Sequence, residues 1–70
     1  MIEEEAKHLT RRETEVRDKL CLGWSNRQIA DAMGISLRTV ETYRANIFDK
    51  MKVRNAVELV RAVYHIEEMV

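Results

Sequence analysis

Between positions 25 and 51 the apolar residues Ile29, Ala30, Met33, Ile35, Val40, Ile47 and Met51 recur at the spacing that lines one side of a helix. Gly34 interrupts the pattern, which therefore predicts two helices joined by a tight turn. Ser25 stands three residues before Gln28, so hydroxyl and amide can satisfy each other's backbone N–H groups as a capping box, with Trp24 and Ile29 as a hydrophobic staple around the cap. Gly34 suits the left-handed conformation that stops the first helix after Met33. Ser36 caps the second, and Ile35 and Val40 form its staple. So short a connection forces the steep crossing of a helix-turn-helix, with small Ala30 where the first helix must pass close to the second and Tyr43 among the inward positions.

The flanks supply one helix on each side. Thr10 and Glu13 make a capping box for a helix over residues 11–22, with Gly23 as its stop and Val16 and Leu20 facing the core behind Leu9. That apolar face is thin, because Arg17 and Lys19 intrude on it and must cover apolar surface with their stems. After the connection Lys52-Val53-Arg54, Asn55 and Glu58 make a third box, opening a last helix that runs to about residue 68. Ala56, Leu59, Val60 and Val63 suit the core. Ala62, Ile66 and Met69 widen the stripe sideways, and Val57 and Tyr64 lie opposite, so this helix has more apolar surface than one small core accepts. An isologous dimer through Ala62, Ile66, Met69, Val57 and Tyr64 is the expected solution. The fold class is all-α: a four-helix, bundle-like domain containing a helix-turn-helix, with a C-terminal dimerisation helix. Residues 1–8 lack periodicity and read as a tail or linker stub, leaving residues 9–70 as the domain.

Seventy residues allow one domain with a small core and a stability on the order of 5 kcal/mol. The absence of proline and the wealth of Glu, Lys, Arg, Leu, Ala and Met agree with an all-helical chain. No apolar run is long enough to span a membrane, and the first residues lack a signal-peptide pattern, so a cytoplasmic location is expected. Cys21, the only cysteine, excludes an internal disulfide; His8 and His65 have no partner at a metal-ligand spacing and read as surface residues. No nucleophile with a base, metal cluster or phosphate-cradling glycine loop occurs, which argues against an enzyme and against a cofactor.

Net charge is zero, but its distribution is uneven. Residues 21–54 carry Arg27, Arg38, Arg44, Lys50, Lys52 and Arg54 against Asp31, Glu41 and Asp49, whereas both flanks are net acidic. The basic surplus coincides with the helix-turn-helix. On the second of its helices, residues 37–51, the side away from Val40, Ile47 and Met51 carries Arg38, Glu41, Thr42, Ala45 and Asp49. Small Thr42 and Ala45 let a helix backbone approach base edges and touch thymine methyls, and Glu41 can accept from cytosine N4. Ser36, Arg38, Thr39, Tyr43, Asn46 and Lys50 surround that face as donors for phosphate oxygens, joined by Asn26 and Arg27 in the first turn of the preceding helix. Arg44 is expected instead to turn toward the first helix and pair with Glu13 or Glu15.

Several stretches together resemble the LuxR/GerE-type DNA-binding domain: Leu9-Thr10-Arg11-Arg12-Glu13, Gly23-Trp24-Ser25-Asn26-Arg27-Gln28-Ile29-Ala30, Gly34-Ile35-Ser36, Arg38-Thr39-Val40-Glu41, Arg44-Ala45-Asn46-Ile47, Lys50-Met51, Val53-Arg54-Asn55 and Val57-Glu58-Leu59-Val60. The segment Arg-Thr-Val-Glu-Thr-Tyr-Arg-Ala-Asn is most similar to the output domains of FixJ-like response regulators within that family. The resemblance implies four helices, the third in the major groove and the fourth at a dimer contact. It implies base contacts at Glu41, Thr42 and Ala45 and backbone contacts at Asn26, Arg27, Ser36, Arg38, Thr39, Tyr43, Asn46 and Lys50. Tyr43 stands where His is commoner, Arg17 and Lys19 where apolar residues are usual, and Glu41 where many relatives carry Lys or Arg.

The expected function is that of a sequence-specific transcription regulator that binds an inverted repeat in double-stranded DNA as a homodimer, with RNA polymerase as a further candidate partner. Two rivals share the helix-turn-helix pattern. A sigma-factor-like promoter-reading domain would lack the added fourth helix, and a protein-interaction module that binds polymerase or a regulator would draw on the neutral overall charge.

Overall fold

Thr10 Oγ1 accepts the Glu13 N–H at 3.1 Å while Glu13 Oε1 accepts the Thr10 N–H at 2.9 Å, so the first capping box forms and opens helix α1, Arg11–Cys21. The computed structural model describes residues 9–64. Gly23, at φ +89°, lets the Trp24 N–H turn back to the Lys19 carbonyl at 3.1 Å and ends α1. Ser25 and Gln28 exchange the same reciprocal bonds at 2.8 and 3.1 Å and start α2, Asn26–Met33. Left-handed Gly34, at φ +68°, closes it, and Ser36 Oγ accepts the Thr39 N–H at 3.0 Å to begin α3, Leu37–Met51. The last element, α4, is described over Ala56–Tyr64. Among the described residues there are four helices and no strand.

The core takes side chains from all four. Val16, Ile29, Val40, Ile47 and Leu59 are completely buried, with Leu20 and Ala30 nearly so. Helix α3 is the spine of the domain: it packs on α1, α2 and α4, and α1 also supports α2 and α4. Phe48, which the apolar pattern did not single out, packs against the core beside Tyr43 and Met51. On α4 only Leu59 is buried and Val63 packs against the core, while Ala56 and Val60 are half-buried. Burying the five fully enclosed aliphatic side chains supplies about 2 kcal/mol each before the entropy of ordering the chain is subtracted.

Three local expectations need correction. Arg44 does not pair with Glu13 or Glu15. Glu13 is held by Lys50, whose Nζ lies 2.8 Å from Glu13 Oε1, and Glu15 is held by Arg12 on its own helix. The reason is reach: Lys50 sits more than a turn beyond Arg44 on α3, opposite the start of α1. The third capping box is also only half as expected. Asn55 Oδ1 accepts the Glu58 N–H at 2.9 Å, but Glu58 Oε1 reaches past Asn55 to accept the Arg54 N–H at 2.8 Å, and Glu58 Oε2 meets the Arg54 guanidinium. Finally, Lys52 is not plain connection. It takes the left-handed conformation, at φ +59°, so that the Val53 N–H returns to the Phe48 carbonyl at 3.0 Å. The expected tail over residues 1–8, the two histidines, the end of the last helix and Ile66 and Met69 lie outside the described residues.

A left-handed lysine predicts a stabilising substitution. Lys52→Gly removes the clash between Cβ and carbonyl, offset in part by the extra freedom of glycine in the unfolded chain, for a net gain of about 0.5 kcal/mol. The midpoint of chemical denaturation should rise; a fall would show that the exposed Lys52 side chain contributes more than its backbone strain.

Candidate nucleic-acid interface

Because Val40 and Ile47 anchor α3 to the core, the opposite side of the helix is turned outward, and Glu41, Thr42 and Ala45 are all exposed on it. Arg38, one turn before Thr42, and Asn46 are exposed as well. Thr42 and Ala45 leave a shallow centre between these longer side chains, so the helix backbone can come close to a flat or grooved partner. Asp49, also exposed, is the acidic limit of the face toward the helix end. Tyr43 lies at its edge, half-buried, with its ring against the core.

The starts of α2 and α3 add donors. Neither helix has an acidic residue in its first turn, whereas α1 carries Glu13 there and α4 carries Glu58, so the positive dipole ends of the helix-turn-helix alone are left unneutralised. Ser36 Oγ and Thr39 Oγ1 stand 2.8 Å apart and share one hydrogen bond. Whichever hydroxyl donates in that bond, the other keeps a proton for an outside acceptor. On α2, Arg27 is exposed and Asn26 half-buried. Arg27 and Arg38 have no acidic partner among the described residues.

Three cations of the basic stretch are engaged within the protein, Arg54 by Glu58 and two by partners distant in sequence. Lys50, expected on phosphate, is bound to Glu13 with a third of its side chain exposed. Arg44 donates from Nη1 to Asn26 Oδ1 at 3.3 Å and lays its guanidinium 5.0 Å over the Phe48 ring. The sequence held no local signal for either contact, since their partners are 37 and 18 residues away. Burial pushes the Glu13 carboxyl upward, but the hydrogen bond and charge of Lys50 and the bonds from Thr10 outweigh it and hold it below its ordinary value. Burial raises the Cys21 thiol, so this cysteine is less readily ionised than a free one.

Elsewhere the surface is apolar in places. On α4, Val57 and Tyr64 are exposed, at 62% and 56%, and Ala62 is half-buried. An open groove on α2 is lined by Trp24, Gln28, Asp31 and Ala32, and the Lys19 ammonium lies 5.7 Å from the Trp24 ring, which accounts for that intrusive lysine. Among the described residues there is no cluster of metal-ligating side chains and no helix long and apolar enough to cross a membrane.

Two packed helices joined by a tight turn, the second facing solvent with small and hydrogen-bonding residues and both with unneutralised starts, define a helix-turn-helix DNA-binding domain. The family described as bacterial regulatory proteins, luxR family, matches residues 7–63, and the chain belongs to that family. DNA-binding transcription regulation, and not catalysis, is the function of the family's domain. Among its relatives, the transcriptional regulatory protein UhpA of Escherichia coli (strain K12) is 43% identical over 56 residues, 80% of this chain and 29% of that protein. The transcriptional regulatory protein FixJ of Azorhizobium caulinodans is 51% identical over 53 residues, 76% of this chain and 25% of that protein. The structure of the response regulator StyR superposes with a TM-score of 0.86 at 38% identity, over 91% of this chain and 32% of that one. The chain thus spans about a quarter to a third of the length of these relatives.

Proposed function

We propose that α3 enters the major groove of double-stranded DNA, that Glu41, Thr42 and Ala45 read base edges there, and that the domain regulates transcription at an inverted repeat bound as a homodimer. The single observation that carries the reading is the joint exposure of these three residues on the side of α3 opposite Val40 and Ile47. Arg27, Arg38, Ser36, Thr39, Tyr43, Asn46 and the amide of Asn26 hold the flanking phosphates, fixing position and not sequence. Lys50 is left out of this set because its ammonium bonds to Glu13. Dimerisation through α4 is supported by exposed Val57 and Tyr64, which no part of the described chain covers. RNA polymerase, as a second partner, would then meet a surface away from α3. Where such a domain forms part of a longer regulator, that regulator would be a response regulator like those relatives.

With Arg27 and Arg38 as its exposed, unpaired cations on this face, one subunit neutralises few phosphates. Isolated binding should therefore be weak, about micromolar at low salt, with each phosphate-bound cation contributing about one unit to the salt slope. Arg38→Ala is expected to weaken binding to all duplexes about equally and to lower that slope by about 1. Fluorescence anisotropy on several duplexes over a salt series measures both. A loss confined to duplexes differing at one base position would contradict the assignment to phosphate, and wild-type protein that binds no duplex at low salt would contradict the DNA reading itself.

A further inference from the structure

We propose that Arg44 is a positioning residue: it orients the side-chain amide of Asn26 toward DNA and fixes the start of α2 against α3. The inference rests on the DNA reading above and deepens it. Arg44 is half-buried in the middle of α3, and Asn26 is the first residue of α2. The bond from Arg44 Nη1 to Asn26 Oδ1, 3.3 Å, ties the two helices together across the turn. A guanidinium has only donors to offer, so the Asn26 amide meets it with oxygen and must direct its two N–H donors elsewhere. The opposite amide orientation would set donor against donor. That choice decides function, because a phosphate oxygen accepts from the Asn26 nitrogen and is repelled by its oxygen.

Phe48 keeps Arg44 in this role. The guanidinium lies 5.0 Å over a ring that itself packs against the core, so the cation is held by attraction to the ring face and by the Asn26 oxygen together. Its neighbour Glu41, one turn back on the same helix, receives no ion pair from it among the described residues. Arg44 thereby supports the interface without joining it, and Glu41 keeps its acceptor oxygens for a donor on a base.

The test is a double-mutant cycle on DNA affinity with Arg44→Met and Asn26→Ala, each variant checked for its fold by circular dichroism. Methionine keeps much of the stem over Phe48 and removes the donors. Each single variant should bind a fixed duplex roughly fivefold more weakly, and Arg44→Met should have no further effect in the Asn26→Ala background. Arg44→Met should also leave the salt slope of binding nearly unchanged, whereas a direct Arg44–phosphate contact would lower it by about 1. Asn26→Asp separates positioning from simple stabilisation. A carboxylate still accepts from Arg44 and suits a helix start, so thermal stability should hold or rise, yet affinity should fall about tenfold or more because a phosphate now meets a negative charge. Additive losses in the cycle, a slope lowered by a full unit, or unchanged affinity of Asn26→Asp would each overturn the proposal while leaving the DNA reading standing. Failure of the wild-type protein to bind any duplex would overturn both.

Discussion

Thr42→Asp should abolish sequence selection while leaving the domain folded. Thr42 is exposed at the centre of the outer face of α3, between Arg38 one turn before it and Asn46 one turn after. A carboxylate there stands next to Glu41, so two adjacent acids would face the polyanion. It would also draw Arg38 into an ion pair along the helix, away from the phosphate it is proposed to hold. The lost base contact alone removes about 1–3 kcal/mol of discrimination, and the added repulsion lowers affinity for every duplex. Since the substituted side chain is solvated in the free protein, stability should change by no more than about 0.5 kcal/mol. Selection from a random duplex pool, set beside thermal melting, reads the two effects separately. Unchanged site preference would mean that a different face meets the DNA.

The second large effect is on stability and concerns a residue far from the proposed interface. Glu13→Ala should destabilise the domain by about 2–3 kcal/mol, since it removes half of a capping box and leaves the Lys50 ammonium without its carboxylate. The figure stays below that of a fully buried pair because Lys50 is 33% exposed and water can take over part of its solvation. For a domain of this size that is about half of the total. Glu13→Gln divides the effect: the amide oxygen still accepts the Thr10 N–H, so what is lost is mainly the charge on Lys50's partner, about 1 kcal/mol. The charge component has a pH signature. Glu13 is held below its ordinary value of 4.5, so the folded state favours its ionised form; the stabilisation is complete above about that value and drains away as pH falls through the lowered folded value. Urea midpoints of wild-type and Glu13→Gln protein should differ at pH 7 and draw together as the pH is lowered below 4.5. A constant difference across that range would assign the effect to packing instead.

What the sequence made legible was local. The caps Thr10, Ser25 and Ser36 each bond to a residue three positions on, so the chemistry that starts a helix is contained in a four-residue window, and the observed bonds match the letters. The inward and outward sides of α3 were legible for a related reason. Val40 and Ile47 recur at helical spacing, and once they are buried the geometry of the helix leaves Glu41, Thr42 and Ala45 outside. Contacts between helices were not legible. The helical wheel sent Arg44 toward α1, but α3 also leans on α2, and Asn26 stands within reach of the guanidinium while the start of α1 does not. Nor could spacing show that Glu13, a capping residue, would be nearly sealed from water and available to Lys50. Lys52 gave no warning at all, because left-handed backbone is signalled by glycine or asparagine and not by lysine. For the contacts of Arg44 and Lys50 the deciding quantity is a distance between elements, fixed only when the core closes.

Lys50 and Arg44 make it harder, not easier, for a chain of zero net charge to attract a polyanion. Both cations are bound within the domain, so the basic surplus of the middle stretch is smaller at the surface than it is in the sequence. Placement therefore matters more than net charge: acid-free helix starts and exposed Arg27 and Arg38 lie beside α3, and acidic Glu58 sits in the first turn of α4.

The most direct measurement is a titration of isotopically labelled protein with a duplex enriched by the wild-type domain, following the backbone amides by heteronuclear NMR at low salt. The largest changes should fall on Glu41, Thr42 and Ala45 and on the starts of α2 and α3, with Asp31 and Ala32, the part of the Trp24 groove beyond the start of α2, unmoved. Changes centred on α4 or on that groove, with the outer face of α3 silent, would contradict the proposal that this helix lies in the DNA groove.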